Sequence, residues 1–165
     1  MNSFNQKILI VDDIEDNRFT LERRLSRSGY TAISQADCGS RALELVKQES
    51  FDLVLLDLMM PDISGLDVLK ILKADPKNRG IPVVMVTAAD EIETTAECIS
   101  NGAEDYITKP INATLLKARV SACLEKKRFR DSEEHYLNKV EADKKRTQTF
   151  LKQILPEKIA EELNS

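Results

Sequence analysis

The sequence is poor in the residues that mark several classes of protein. It has no Trp, only 5% aromatic residues, five Gly, five Pro and three Cys among 165 residues. The scarcity of aromatic rings argues against a base-stacking surface, and the net charge of −4 does not favour nucleic acid as a partner. No apolar run approaches the ~20 residues of a membrane-spanning helix, and the polar N-terminus is unlike a secretion signal. We therefore expect a cytoplasmic protein with neither a nucleic-acid nor a membrane partner.

The sulfur and imidazole groups do not form a recognisable site either. Cys38, Cys98 and Cys123 are far apart, are odd in number and follow no metal-binding spacing. Separated cysteines of this kind are typical of reduced thiols in a reducing compartment. The single histidine, His135, lies in a highly charged stretch and is expected to be an exposed surface residue.

Charge, glycine and proline are distributed unevenly along the chain. Residues 1–125 hold 14 basic and 20 acidic residues, whereas residues 126–165 hold 10 basic and 8 acidic residues. All five glycines and four of the five prolines lie in the first segment. This division predicts a compact domain over residues 1–125, followed by a polar helical linker over residues 126–165.

The first segment alternates short apolar runs with helical patterns. The clearest runs lie at 7–11, 53–56 and 82–86, and weaker ones lie at 30–34 and 105–108. Apolar residues at helical spacing fill the intervals, and Gly29 and Gly102 stand where helix C-terminal caps belong. The residues that mark the four helices are Phe19, Leu21, Leu25, Ala42, Leu43, Val46, Leu66, Leu69, Leu72, Ile92, Ala96 and Ile99. The alternation predicts an α/β fold: a doubly wound, five-stranded parallel sheet with helices on both faces.

Polar side chains follow the predicted strands. Asp12 and Asp13 follow the first strand, Asp57 the third, Thr87 the fourth and Lys109 the fifth. Ligands of an open parallel sheet bind outside the carboxyl ends of its strands, so these five residues are expected to meet there. Three neighbouring carboxylates repel one another, and a hard divalent cation such as Mg²⁺ relieves that repulsion. A carboxylate beside a metal and a lysine suits nucleophilic attack in phosphoryl transfer.

Four sequence motifs carry a resemblance to a known family. They are Ile-Leu-Ile-Val-Asp-Asp at 8–13, Leu-Leu-Asp-Leu-Met-Met-Pro-Asp-Ile-Ser-Gly at 55–65, Val-Thr-Ala at 86–88 and Tyr-Ile-Thr-Lys-Pro at 106–110. In order and spacing they resemble the receiver domain of bacterial two-component response regulators, over roughly residues 5–125. The resemblance implies a flavodoxin-like receiver fold that accepts a phosphoryl group from a histidine kinase or a phosphotransfer protein.

The resemblance also assigns chemical roles. It implies that Asp57 is the phosphoacceptor and that Lys109 pairs first with Asp57 and then with the phosphoryl oxygens. It implies a Mg²⁺ site made of Asp13, Asp57 and the backbone carbonyl of Met59, with Asp12 acting through water. A haloacid-dehalogenase-like phosphatase also uses an aspartate nucleophile, but it needs Asp-x-Asp, which Asp12 and Asp13 do not supply.

Two further residues match the family's conformational switch. Thr87 matches the hydroxyl that moves to bond the phosphoryl group, and Tyr106 matches the aromatic residue that rotates inward behind it. Tyr106 could instead simply cover the sheet edge. Pro110 matches a proline whose peptide bond is usually cis, and Asp62 is expected to be a solvated or capping residue.

The helical pattern continues beyond the expected end of the domain. Asn112 is a plausible N-cap, and no Gly or Pro interrupts the chain until Pro156. Two lines of residues are spaced by seven: Leu137, Lys144 and Leu151, and Val140, Thr147 and Ile154. This spacing predicts a parallel coiled-coil homodimer from about Asn112 to Ile154, and the alternative is a single solvated helix.

The last residues suggest what the helix connects to. Residues 150–163 are similar to the segment that precedes the catalytic domain of class III adenylate/guanylate cyclases, although PP2C-type phosphatase regulators also place Leu-Pro after a signalling helix. The 165 residues contain no nucleotide-site motif of a cyclase. We therefore expect an output domain in cis, a class III cyclase, in a longer protein, which leaves open whether the whole protein is an enzyme. The alternative is a stand-alone interaction module.

Overall fold

The computed structural model describes residues 4–154, in which five strands alternate with five helices. The strands are β1 (Phe4–Val11), β2 (Tyr30–Ala36), β3 (Leu53–Asp57), β4 (Val83–Thr87) and β5 (Asp105–Thr108). The helices are α1 (Glu15–Arg27), α2 (Gly39–Gln48), α3 (Gly65–Ala74), α4 (Ile92–Ser100) and α5 (Ala113–Ile154). The chain divides into two compact units after Lys127.

The five strands form one sheet in the order β2-β1-β3-β4-β5, and every neighbouring pair is parallel. Every residue of β3 and β4 is buried, as expected for strands that are covered on both faces. The strand order reverses between β1 and β3, so the loops that leave these two strands diverge and open a crevice. The sheet, its parallel strands and the long C-terminal helix confirm the predicted receiver fold.

Two apolar clusters lie on the opposite faces of the sheet. One joins the sheet to α1 and the first turns of α5, and the other joins it to α2, α3 and α4. The predicted helices are present, but some of the residues that mark them are not in the core. Phe19 is 61% exposed and Ile92 is 74% exposed, whereas Thr95 and Cys98 form the buried face of α4. Helical spacing predicts where a helix lies, but packing against the sheet determines which of its faces is buried.

The expected helix ends are confirmed. Gly29 and Gly102 have φ values of 103° and 105°, which suit glycine at the position that follows the C-cap residue of α1 and of α4. The side chain of Asn112 accepts a hydrogen bond of 3.0 Å from the backbone N–H of Leu115, so it caps the start of α5. The Lys109-Pro110 peptide bond is cis, as the resemblance implied.

The part of α5 that follows Lys127 differs in composition from the domain. All residues from 128 to 154 are exposed. Large apolar side chains are among them: Phe129, Tyr136, Leu137, Val140, Phe150, Leu151 and Ile154. Most of the segment that resembles the cyclase linker, including Pro156, lies outside the described residues. Within residues 4–154, no helix combines the length and the apolar character that crossing a membrane requires.

Candidate phosphoacceptor site

Three aspartates converge where the crevice opens. β1 and β3 are neighbours, and Val11 is in register with Leu56, so the residues that follow them emerge side by side. One carboxylate oxygen from each of Asp12, Asp13 and Asp57 lies within 4.8 Å of the other two. The sequence predicted this convergence from strand ends alone, and the register of the two strands accounts for it.

The three carboxylates differ in what surrounds them. Asp57 is 5% exposed and Asp12 only 1% exposed, whereas Asp13 is exposed. Asp12 accepts hydrogen bonds from the backbone N–H of Ile14 at 2.9 Å and from the Asn17 amide at 3.2 Å. Within residues 4–154 the side chain of Asp13 forms neither a hydrogen bond nor an ion pair, so its oxygens face the crevice without a protein donor.

Lys109 brings a positive charge to this cluster. Its Nζ lies 3.3 Å from Oδ1 of Asp57 and 3.6 Å from Oδ2 of Asp12. The backbone N–H of Lys109 donates to the carbonyl of Thr87 at 2.7 Å, which fixes the lysine against the end of β4. One ammonium therefore serves two buried carboxylates.

The charges of the cluster do not balance. Burial, with a further contribution from the negative charge of Asp12, raises the pKa of Asp57 to about 6, although Lys109 opposes the shift. Burial alone would lower the pKa of Lys109, but the carboxylates of Asp57 and Asp12 outweigh it and raise that pKa. Three carboxylates beside one ammonium leave negative charge that a divalent cation could neutralise, and oxygen ligands are those that Mg²⁺ prefers.

Thr87 stands beside the cluster with an unused hydroxyl. It is buried at the end of β4, and its Oγ1 has no hydrogen-bond partner among the described residues. A buried hydroxyl without a partner is uncommon, because its desolvation is not compensated. This hydroxyl is suited to donate a hydrogen bond to an oxygen atom of a group attached to the Asp57 carboxylate.

Tyr106 lies on the outside of the sheet edge. The residue is 40% exposed, and the guanidinium carbon of Arg119 lies 5.7 Å from the centroid of its ring. Arg119 also forms an ion pair with Asp105, and this ion pair helps to hold its guanidinium group over the ring of Tyr106. Between Tyr106 and Thr87 there is a cavity of about 160 Å³, lined also by Ala88, Thr95 and other residues of α4.

Sequence reasoning missed one residue beside the site. A carboxylate oxygen of Glu91 accepts a hydrogen bond of 2.9 Å from the backbone N–H of Ala88, directly after Thr87. The backbone N–H of Glu91 donates in turn to the carbonyl of Ala88 at 3.1 Å, which closes a tight turn. The only sequence signal is an acidic residue at the start of α4, and this is common at helix N-termini.

Met59 lies in the loop that follows β3, two residues after Asp57. The two ends of this loop meet, because the backbone N–H of Gly65 donates to the carbonyl of Leu58 at 2.8 Å. A Cβ at position 65 would lie 2.2 Å from the carbonyl oxygen of Asp57, so only glycine fits there. The Met59 side chain is exposed.

Comparisons with known proteins agree with this geometry. A family profile for the response regulator receiver domain matches residues 8–121. Response regulator PleD of Caulobacter vibrioides is 43% identical over 114 residues, which are 69% of this chain but only 25% of PleD. Chemotaxis protein CheY-3 of Vibrio cholerae is 37% identical over 122 residues, covering 74% of this chain and 94% of CheY-3.

A solved structure leads to the same family. The receiver domain of NtrX from Brucella abortus superposes with a TM-score of 0.67 at 32% identity, covering 72% of this chain and 98% of that domain. The family profile, the near-complete coverage of CheY-3 and the shared topology extend well beyond the residues of the cluster. Together they establish that this chain belongs to the response regulator receiver domain family.

Proposed function

We propose that Asp57 accepts a phosphoryl group from a histidine kinase or a phosphotransfer protein, and that the phosphorylated domain signals through α5 to an output domain. The observation that carries this proposal is the placement of a buried Asp57 between Lys109 and two further carboxylates. Buried carboxylates in a crevice are otherwise costly, which argues for a chemical role.

The residues present fit a magnesium site. Asp13, Asp57 and the backbone carbonyl of Met59 would hold the ion directly, with Asp12 held back by its hydrogen bonds to Ile14 and Asn17. Bound there, Mg²⁺ would supply positive charge for the oxygens of the incoming phosphoryl group. Of Asp12 and Asp13, Asp13 is the better direct ligand, because no donor among residues 4–154 competes for its oxygens.

The bonds that form and break in the transfer belong only to Asp57 and the donor. An Oδ of Asp57 attacks phosphorus and an O–P bond forms, while the P–N bond of the donor phosphohistidine, whose other ring nitrogen carries a proton, breaks and releases the neutral histidine side chain. The ammonium of Lys109, 3.3 Å from Oδ1 of Asp57, neutralises the carboxylate before transfer and can follow the phosphoryl oxygens afterwards. Acetyl phosphate can replace phosphohistidine, because it also carries a good leaving group.

The switch follows from two features on the far side of Asp57. The hydroxyl of Thr87 has no partner within the described part of the chain and would donate to a phosphoryl oxygen. Its movement would open the adjoining cavity of about 160 Å³, into which the ring of Tyr106 would turn. That rotation separates Tyr106 from Arg119 and so changes the surface that includes α4 and β5.

We further propose that α5 dimerises in parallel. A helix with seven exposed large apolar side chains after Lys127 gains little stability from its own sequence, because isolated helices depend on packing. A second copy would bury the seam formed by Leu137, Val140, Leu151 and Ile154. Lys144 and Thr147 lie between the first two and the last two of these residues, and they keep the seam weak enough for a phosphorylation signal to alter it.

The output domain that we favour is a class III adenylate/guanylate cyclase. This rests on the resemblance of residues 150–163 to the linker of those enzymes. A dimer would suit such an output, because the catalytic sites of these cyclases form between two chains. The reading frame that follows codon 165 tests this: a cyclase domain supports it, and a PP2C-type phosphatase or another domain contradicts it.

The central test is chemical phosphorylation. With acetyl phosphate and Mg²⁺, the wild-type chain should gain one phosphoryl group by intact mass, and peptide mapping after borohydride reduction should locate it at Asp57. Asp57→Asn should gain none, whereas Asp67→Asn, an exposed aspartate outside the cluster, should be labelled as wild type. Labelling of Asp57→Asn at the wild-type rate would refute the assignment.

A further inference from the structure

A carboxylate outside the crevice holds the loop that carries Met59. Oδ2 of Asp62 accepts hydrogen bonds from the backbone N–H of Ser40 at 3.0 Å and from its hydroxyl at 2.9 Å. Oδ1 of Asp62 accepts from the backbone N–H of Gly39 at 3.2 Å. Asp62 therefore joins the loop after β3 to the first turn of α2.

This link gives α2 the cap that its own sequence lacks. Cys38, the N-cap residue, forms no capping bond with its side chain, and the first turn of α2 has no acidic residue. The first N–H groups of a helix have no partners within the helix, and they favour negative charge. The backbone N–H of Ser40, followed by the other donors, holds the pKa of Asp62 well below its usual range, so the carboxylate is charged at neutral pH.

The close approach of α2 and the loop depends on a second residue. A Cβ at Gly39 would lie 2.9 Å from Cγ2 of Val68 and 3.1 Å from Cβ of Ile63. Because Gly39 carries no side chain, the helix end can lie against the loop, within reach of Asp62. The loop is thus closed at its base by Gly65 and Leu58 and held at its outer turn by Asp62.

We propose that Asp62 is a positioning residue for metal binding and phosphoryl transfer, because its bonds to α2 fix the loop that carries Met59, whose carbonyl is a ligand in the proposed metal site. This inference rests on the proposed function of Asp57. Asp62 contacts α2 and not the cluster, so it acts on the metal only through the loop backbone. Losing it leaves the carbonyl of Met59 in several orientations, of which only some can bind a cation.

The experiment measures Mg²⁺ affinity and phosphorylation separately. Calorimetric titration should give Asp62→Ala a Mg²⁺ dissociation constant about five- to tenfold above that of wild type, the size of a lost helix cap. Asp62→Asn keeps one acceptor oxygen and should lie between the two. Asp67→Asn is the matched control, since it removes the same charge from the start of α3 and should bind Mg²⁺ as wild type does.

The rate of phosphorylation by acetyl phosphate, measured against Mg²⁺ concentration, separates positioning from simple destabilisation. For Asp62→Ala we expect the half-saturating Mg²⁺ concentration to rise in the same proportion, while saturating Mg²⁺ restores the rate to within about twofold of wild type. A lower melting temperature with an unchanged half-saturating concentration would overturn the proposal. So would an equal loss of affinity in Asp67→Asn.

Failure of the two proposals can be told apart. If the wild-type chain is not phosphorylated at Asp57, the proposed function fails, whatever the Asp62 variants do. If wild type is phosphorylated and both Asp62 variants match it in Mg²⁺ affinity, only the positioning role fails. Should Asp62→Ala not fold, Asp62→Asn decides the question by the same two measurements.

Discussion

The two compact units of the chain differ in what they leave uncompensated: excess negative charge in the first unit and exposed apolar side chains in the second. Residues 4–127 bury their apolar side chains well, but they hold three carboxylates against one ammonium at the edge of the sheet. Residues 128–154 have their charges in water, yet they expose seven large apolar side chains. Added positive charge would stabilise the first unit, and contact with another apolar surface would stabilise the second. The first three of the following changes act on one of these two features, and the last tests the hydroxyl beside the charge cluster.

The largest effect is expected for the apolar seam. Leu137→Glu/Leu151→Glu should weaken dimerisation at least ~100-fold, because each dimer would bury four carboxylates without partners. Sedimentation equilibrium measures the dissociation constant. The control is Ala142→Glu/Thr149→Glu, which adds the same charge on the opposite side of the helix. A wild-type chain that stays monomeric at high micromolar concentration, with and without a phosphoryl mimic, would remove the dimer.

The next effect concerns the charge cluster. Asp13→Asn should weaken Mg²⁺ binding by about thirtyfold and Asp12→Asn by only about threefold, because a direct carboxylate contact to a hard cation loses more than one made through water. Isothermal titration calorimetry measures both constants. Equal losses in the two variants would mean that Asp12 contacts the ion as directly as Asp13 does.

A smaller effect is expected on metal-free stability, and it depends on pH. The raised pKa of Asp57, about 6, means that the fold disfavours its charged form. The contribution of Asp57 to stability is therefore complete below pH ~4 and is lost as pH rises through about 6. Without Mg²⁺ at pH 8, Asp57→Asn should be more stable than wild type by about 1–3 kcal/mol.

Urea unfolding at several pH values measures this difference. The gain from Asp57→Asn should shrink towards zero at pH 4, and millimolar Mg²⁺ should reduce it at pH 8. Asp67→Asn should show neither trend. A gain that is the same at pH 4 and pH 8 would show that charge on Asp57 is not its cause.

The smallest effect tests the hydroxyl of Thr87. Thr87→Val removes a buried group for which residues 4–154 supply no partner, so the stability of the unphosphorylated domain should stay the same or rise by up to about 1 kcal/mol. The response of Tyr106 to phosphorylation should be lost, as followed by its ring resonances in NMR. A clear loss of stability would show that this hydroxyl already has a partner in solution.

The sequence was sufficient for the sheet and for the convergence of the site. Buried parallel strands are continuous apolar runs, and polar residues at their ends must share one edge, so Asp12, Asp57 and Thr87 could be placed without coordinates. The helix faces were less predictable. Ile92 and Ile99 mark α4 but are exposed, because a short helix with apolar residues on several sides has no unique inner face.

Apart from the pairing of Lys109 with Asp57, which the family resemblance implied, side-chain bonds between distant parts of the sequence could not be predicted. Asp62 was expected to be a solvated or capping residue, but nothing in its own segment indicates that it caps a helix more than 20 residues earlier in the chain. The bond between Glu91 and Ala88 is local, yet an acidic residue at a helix start usually interacts with its own helix. Such partners depend on how neighbouring loops meet, and periodicity carries no information about that.

Gly65 carries a consequence for reading mutational scans. It has no functional group and touches no phosphoryl oxygen, yet any side chain there would bring a carbon to 2.2 Å from the carbonyl of Asp57. In a saturation mutagenesis scan, position 65 should tolerate substitutions as poorly as position 57, the phosphoacceptor. A ranking by mutational sensitivity alone would therefore place Gly65 among the reactive residues. The two can be separated by the pattern of tolerated substitutions. Asp57→Asn should leave a folded, inert protein, whereas even Gly65→Ala should displace the backbone.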